Sequence, residues 1–384
     1  MKILFYLHRY PDFGGIEKVT DIISNYLLNK GYNISILSYT FNQKLKVYDN
    51  INHYIMPENT FKITKRNLDY ISNLFSEQQF DIIIFQDSYA PIEKILFSTI
   101  DISNSRLITV EHNTPNCGYN TFWYNLFHFN LSLKKIILLP YHYWILTNNT
   151  KKRHKLLYNN SNKYILLSKR FLPILSNILN NQKLEKCVCI GNPLTIPPSK
   201  NINTTSNKKK QLLFVGRFTR QKGIPLLLKI WQHTYKQFPD WKLKLVGEGE
   251  LETFIKTFIK KNKIKNIEIE GFQTNVSKYY EESKIFCMTS IFEGWGLVIT
   301  EAMSKGCIPL VFDSYESVYD IIDDNINGYI IPHFNLKLYS EKLTLLMTNE
   351  SLTEKISQNA IEKSNKFSIE SIGKQWETLL KEIV

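Results

Sequence analysis

Apolar residues recur along this chain in two alternating patterns. Short runs rich in Ile, Leu, Val and aromatic residues, Lys2 to Leu7, Asn33 to Tyr39, Asp81 to Gln86, Arg106 to Glu111 and Lys163 to Leu167, predict buried strands. Between the first two, Ile16, Val19, Ile23 and Leu27 recur at three- and four-residue spacing. That is the stripe of an amphipathic helix over Ile16 to Leu28, and Ile63 to Phe75 behaves similarly. Strands alternating with helices imply right-handed crossovers and a parallel sheet.

The alternation stops at Thr195 to Lys210, TIPPSKNINTTSNKKK, where Pro, Asn, Ser, Thr and Lys displace nearly every apolar residue and predict a linker. It then restarts with strands at Gln211 to Val215, Lys242 to Val246, Ile267 to Ile269, Ile285 to Met288 and Ile308 to Phe312. Helices are expected at Ile224 to Tyr235, from Leu251, at Leu297 to Ser304 and in patterns from Asn335 onward. The fold class is α/β: two doubly wound Rossmann-like domains, 1–194 and 211–366, joined by the 195–210 linker. A final segment, 367–384, is expected to pack its helix, Ile369 to Leu380, back toward the first domain. Open parallel sheets bind ligands beyond the carboxyl ends of their strands, so the active site is expected in a cleft between the domains.

Length supports this reading, because 384 residues exceed what one hydrophobic core usually serves. The opening MKILFYLHRYPDFGG has an apolar run too short for a secretory signal, and the longest apolar candidate, Ile136 to Leu146, contains Pro140 and His142. The expectation is a cytoplasmic chain that does not span a membrane. Five scattered cysteines without a Cys-x-x-Cys pair indicate neither a disulfide framework nor a zinc site, and Cys187 and Cys189 read as core positions of a strand.

Candidate chemistry concentrates in the second half. Phe292-Glu293-Gly294-Trp295-Gly296-Leu297-Val298-Ile299-Thr300-Glu301 runs from a strand end into a helix. A helix starting near Gly296 or Leu297 offers unpaired amides to a diphosphate, with Glu301 about one turn inside and Glu293 in the loop. These carboxylates can accept hydrogen bonds from sugar and ribose hydroxyls. Alternatively, Glu293 is a solvated loop residue and Glu301 complements its own helix dipole. Arg217 and Lys222 flank the loop after the first strand of domain two, so both are expected to reach one anionic group, unless they are simply solvated cations.

In the first half, Gly14 and Gly15 join a strand to a helix, either for close approach to a ligand or for a tight turn. His112 ends another strand and is expected to face the cleft near a sugar, a structural histidine being the alternative. Ser168 and Gly191-Asn192-Pro193-Leu194 fall at further strand ends, as rim or as caps and turns. Gly247-Glu248-Gly249 lacks the third glycine of a dinucleotide fingerprint, Glu252 standing there, which disfavours a nicotinamide cofactor. No Asp-x-Asp tripeptide and no cluster with metal-ligand spacing occurs in the sequence, so the site is read as using no metal and no cofactor.

Together these motifs resemble the family-4 glycosyltransferases, retaining enzymes of the GT-B fold, many of which build bacterial surface polysaccharides. Glu293 and Glu301 are similar to the family's Glu-x7-Glu pair. The resemblance implies that Glu293 contacts the donor sugar and Glu301 the ribose, while amides around Gly296, Leu297 and Val298 touch the diphosphate. It assigns Arg217 and Lys222 to the phosphates, Gly15 to the first glycine-rich loop and His112 to the transferred sugar. A nucleotide-sugar donor, with uridine diphosphate favoured, and a glycan or polyprenyl-linked sugar acceptor follow from the resemblance. So does front-side displacement with retention. The loop Gly247-Glu248-Gly249-Glu250 departs from the family's usual Gly-x-Gly-Pro and puts base specificity in doubt. A GT-B-type epimerase or phosphorylase, and a sugar-nucleotide-binding protein without turnover, are the competing readings.

Charge adds a surface. The net charge is +13, and residues 112–200 hold 12 basic side chains against the single acid Glu185. Over Tyr119 to Tyr158, Phe122, Trp123, Tyr124, Phe127, Phe129, Tyr143 and Trp144 interleave with Lys134, Lys135, Lys151, Lys152, Arg153 and Lys155. This mixture predicts peripheral contact with the anionic inner face of a membrane through residues 112–200. The alternative is that the aromatics are core and the lysines merely solubilise. No nucleic-acid module is visible, and nucleic acid is not an expected partner.

Overall fold

The computed structural model describes the chain apart from residues 44, 46–49, 61–63, 87–101, 103, 120–121, 123–132, 198–206 and 384, and describes no side chain over 133–137. The chain divides into two compact units, Met1–Thr195 with Ile369–Val384, and Ile196–Ser368.

In the first unit β1 (Lys2–Tyr6), β2 (Asn33–Ser38), β3 (Asn52–Ile55), β4 (Ile82–Phe85), β5 (Arg106–Glu111), β6 (Lys163–Leu166) and β7 (Cys187–Cys189) form one parallel sheet. Its order is β3-β2-β1-β4-β5-β6-β7. The central β4, IIIF, is buried along its whole length, as a strand covered on both faces must be. The Gly15–Asn29 helix buries Val19, Ile23 and Leu27, the stripe read from spacing. The Lys65–Gln78 helix starts at Thr64, whose hydroxyl accepts from the Asn67 amide at 3.3 Å.

The Ile369–Ile383 helix buries Ile372, Trp376, Leu379 and Leu380 and packs on the Gly15–Asn29 helix. A side chain at Gly373 would lie 2.4 Å from a Tyr26 ring carbon, and the Tyr26 hydroxyl donates to Glu377 at 2.5 Å.

The second unit contains β8 (Lys209–Val215), β9 (Lys242–Val246), β10 (Ile267–Gly271), β11 (Ser283–Met288), β12 (Ile308–Asp313) and β13 (Tyr329–Pro332), also parallel, in the order β10-β9-β8-β11-β12-β13. Its core gathers Leu212 and Phe214 of β8, Leu243 and Leu245 of β9, and Trp231 of the Ile224–Thr234 helix.

Several expectations need correction. The 195–210 linker ends earlier than composition indicates: Lys209 and Lys210 belong to β8, and Lys208 is buried because its ammonium finds carbonyl partners. Residues 198–206 of that stretch lie outside the described residues. The edge strands β3 and β13 were not anticipated, since NHYI is polar and YIIP is short and ends in proline. Pro140 sits inside a 28-residue helix, Leu133–Asn160. Cys187 and Cys189 are only half-buried on the edge strand β7, and all five cysteines are free thiols. No helix among the described residues is long and apolar enough to cross a membrane.

Candidate functional site

In the second sheet the chain order runs away from β8 on both sides, through β9 and through β11. The loops leaving β8 and β11 therefore stand at the reversal of strand order, beyond the carboxyl ends of the strands, where open α/β sheets bind ligands. Lys222 comes from the first of these loops and Glu293 from the second. Their side chains meet there, Nζ to Oε1 at 2.6 Å, and are only 18% and 12% exposed.

Both loops are fixed by the backbone. Gly223 adopts φ 65°, and a Cβ there would stand 1.8 Å from the Thr289 carbonyl oxygen, so only glycine lets the two loops touch. The Thr289 hydroxyl donates to the Gly223 carbonyl at 3.0 Å. The Ile291 amide donates to the Gln221 carbonyl at 2.8 Å, and the Gln221 side-chain amide donates to the Phe292 carbonyl at 3.1 Å. The Ser317 hydroxyl donates to the Gly294 carbonyl at 2.7 Å.

The Leu297–Ser304 helix follows, with Gly296 as its N-cap at φ 89°. No side chain caps this end. Its first amides are consequently available to an anion, assisted by the helix dipole. Glu301 lies about one turn in and is nearly buried, and the Tyr280 hydroxyl donates to its Oε2 at 2.8 Å. Burial and the Glu301 carboxylate push the Tyr280 phenol well above its ordinary range, so it stays a protonated donor. Burial and Glu293 do the same to Tyr315.

Lys222, Glu293, Gly296, Leu297, Val298, Glu301 and Arg217 thus all belong to the second unit, around one strand pair. Lys222 turns onto Glu293, its stem passing 3.8 Å from the point where a Gly216 Cβ would stand, while Arg217 is exposed and has no ion-pair partner among the described residues. Tyr280, Gln221 and Lys208 were missed. Tyr280 sits in SKYYEE, a polar stretch that reads as surface.

His112 and Gly15 belong to the first unit. Gly15 opens the Gly15–Asn29 helix, capped by Gly14. His112 follows β5 and its Nε2 is hydrogen-bonded to the side-chain oxygen of Gln86, just past β4. Burial lowers its pKa to about 4, so the ring is neutral at physiological pH. Beneath it lies a charged cluster. Glu111 is fully buried, with Arg153 at 3.6 Å and the Tyr164 hydroxyl donating at 3.3 Å. His154, its pKa lowered to about 3 mainly by burial and further by Arg153, bonds the Tyr164 hydroxyl at 2.9 Å. Arg153 therefore serves the interior and drops out of the expected basic surface.

On the same Leu133–Asn160 helix, Leu138, Tyr141 and Trp144 are exposed, Tyr141 and Trp144 at 57% and 60%, and their rings stack at 6.4 Å. Lys152 and Lys155 are exposed as well. Trp123, Tyr124, Phe127, Phe129 and the side chains of Lys134 and Lys135 lie outside the described residues. Among the described residues no group of three His, Cys, Asp or Glu side chains is arranged to hold a metal.

Residues 196–363 match the family described as glycosyl transferases group 1. An uncharacterized glycosyltransferase of Haemophilus influenzae is 27% identical over 388 residues, 99% of each chain. The amylovoran biosynthesis glycosyltransferase AmsD of Erwinia amylovora is 24% identical over 384 residues, again 99% of each. Among solved structures, a TarM mutant of S. aureus in complex with Fondaparinux, alpha-GlcNAc-glycerol and UDP superposes with TM-score 0.76 at 17% identity, over 98% of this chain and 99% of that one. Two parallel sheets with interleaved helices and these matches define a glycosyltransferase of the GT-B type. The stretch that matches the glycosyl transferases group 1 family lies within the second unit.

Proposed function

We propose that this chain transfers a hexosyl group, with retained anomeric configuration and without a metal, from a uridine diphosphate sugar to a glycan or polyprenyl-linked sugar in surface polysaccharide synthesis. The observation that carries the reading is the meeting of Lys222 and Glu293 beside the uncapped Leu297–Ser304 helix, at the point where the second sheet reverses its strand order. Lys222 and the amides of Leu297 and Val298 stabilise negative charge as the diphosphate departs, with Arg217 joining once the ligand is bound. Glu293 orients the donor sugar and Glu301 the ribose. Gly15 and neutral His112 of the first unit serve the donor and the transferred sugar. UDP in the TarM complex and the polysaccharide pathway of AmsD support the donor and acceptor classes.

The chain is proposed to work at the inner face of the cell membrane, with Leu138, Tyr141 and Trp144 settling at the interface and Lys152 and Lys155 meeting anionic headgroups. The test of the reaction is incubation with UDP-glucose, UDP-galactose and UDP-N-acetylglucosamine in EDTA, read by UDP release and by NMR of the first-formed anomer. UDP release with the α configuration kept is the expected result. An inverted anomer, an epimerised nucleotide sugar or a sugar phosphate contradicts it.

A further inference from the structure

Glu301 stands on a helix only eight residues long, and a nearly buried carboxylate there needs something to hold it. The Tyr280 hydroxyl, 2.8 Å from Oε2, does so from a ring that has no exposure of its own. That ring packs edge-on against Phe286 of β11, with centroids 5.9 Å apart. Its backbone is fixed by a second buried group. The Lys208 ammonium donates to the carbonyls of Tyr280 at 2.7 Å, Ser283 at 3.1 Å and Lys305 at 2.5 Å. Lys305 is the C-cap of the helix that carries Glu301, so the cation also lies at the negative end of that helix. One lysine thereby ties together the residue that holds the carboxylate and the helix that presents it. Burial lowers the Lys208 pKa, an effect countered by the Cys307 thiol beside it.

We infer that Tyr280 is a positioning residue for nucleotide recognition: anchored by Lys208, it fixes the plane of the Glu301 carboxylate toward the ribose hydroxyls. The inference rests on the assignment of Glu301 to the ribose. A carboxylate turned about its Cγ–Cδ bond loses the geometry of a paired contact to two vicinal hydroxyls, and the Tyr280 bond removes that freedom. Tyr280 touches neither phosphate nor base in this account, so its loss is felt only by a ligand that has the hydroxyls.

The test titrates the full chain, in EDTA, with UDP and with 2′,3′-dideoxy-UDP, comparing wild type, Tyr280→Phe and Glu301→Gln. GDP or ADP and its dideoxy analogue replace the pair if one of these binds more tightly. Wild type is expected to prefer the hydroxylated nucleotide. Tyr280→Phe is expected to weaken UDP binding by about ten- to hundredfold, the effect of one hydrogen bond to a charged group, and to leave dideoxy-UDP within about twofold. If Tyr280→Phe keeps the wild-type ratio, or weakens both nucleotides equally, while Glu301→Gln abolishes it, the positioning role is overturned and the ribose assignment stands. Equal binding of both nucleotides by wild type, or a ratio unchanged in Glu301→Gln, overturns the ribose assignment and the inference with it.

Discussion

Replacing Lys222 by alanine separates its ion pair with Glu293 from the phosphate role proposed for it. Its ammonium is 2.6 Å from Glu293 Oε1, a gross attraction of about 6 kcal/mol at an effective dielectric of ~20. Desolvating both groups offsets most of that, and the small remaining exposure lets Glu293 hydrate, so the expected loss of stability is about 2 kcal/mol. For a unit of this size that shifts the melting temperature by about 4–8 °C. Removing one preorganised donor from a developing oxyanion lowers turnover much further, by about 10²- to 10³-fold. Stopped turnovers with the preferred nucleotide sugar give the rate, and thermal unfolding of the same preparation gives the stability. The double substitution Lys222→Ala with Glu293→Gln removes the unpaired charge and is expected to recover most of the stability but none of the rate. Turnover within about threefold of wild type in Lys222→Ala, or recovery of turnover in the double variant, refutes the phosphate role.

Further outcomes follow from the geometry. Gly296→Ala places a Cβ 2.8 Å from the Tyr315 hydroxyl at a backbone angle that alanine reaches only at a cost of about 1–2 kcal/mol; it is expected to weaken nucleotide binding in calorimetry with little loss of helical circular dichroism. His112, His53 and His154 have pKa values lowered to about 4, 4 and 3 from 6.5, so each binds its proton more readily when unfolded. Stability is therefore full above about pH 6.5 and falls as pH drops toward 4, and the kcat/KM profile shows no break near 6.5 from His112; a chain equally stable at pH 7 and pH 4.5 contradicts this. Trp144→Ala combined with Tyr141→Ala is expected to reduce sedimentation with phosphatidylserine vesicles, and wild-type binding should weaken with salt; full retention in solution at low salt removes the membrane contact.

Elements with strong periodicity and clear ends were legible from sequence. Ile16, Val19, Ile23 and Leu27 mark one helix face, and β5, β9 and the Leu297–Ser304 helix have the expected bounds because each largely apolar segment meets a glycine or a charge at its ends. The edge strand β3 escaped because a strand half-covered at a sheet edge needs little apolar sequence, and β13 because its apolar run is only three residues long before Pro332. The charged stretch Lys208-Lys209-Lys210 read as linker because composition cannot distinguish a solvated lysine from one whose ammonium meets three carbonyls. In the site, spacing placed Glu293 and Glu301 on a loop and the helix after it, since both are local in sequence. It could not show that Lys222 reaches Glu293, 71 residues away, or that Tyr280 holds Glu301, because such pairs depend on which strands become neighbours. His112 pairing with Gln86 has the same origin in the adjacency of β4 and β5.

The most direct measurement is calorimetric titration of the purified chain with UDP, GDP, ADP and NAD, each in EDTA. The account predicts micromolar binding of UDP, weakened by Lys222→Ala. Binding of none of the nucleoside diphosphates, binding that appears only when a divalent metal is restored, or binding of NAD alone contradicts a metal-free diphosphate site between Lys222 and the Leu297–Ser304 helix.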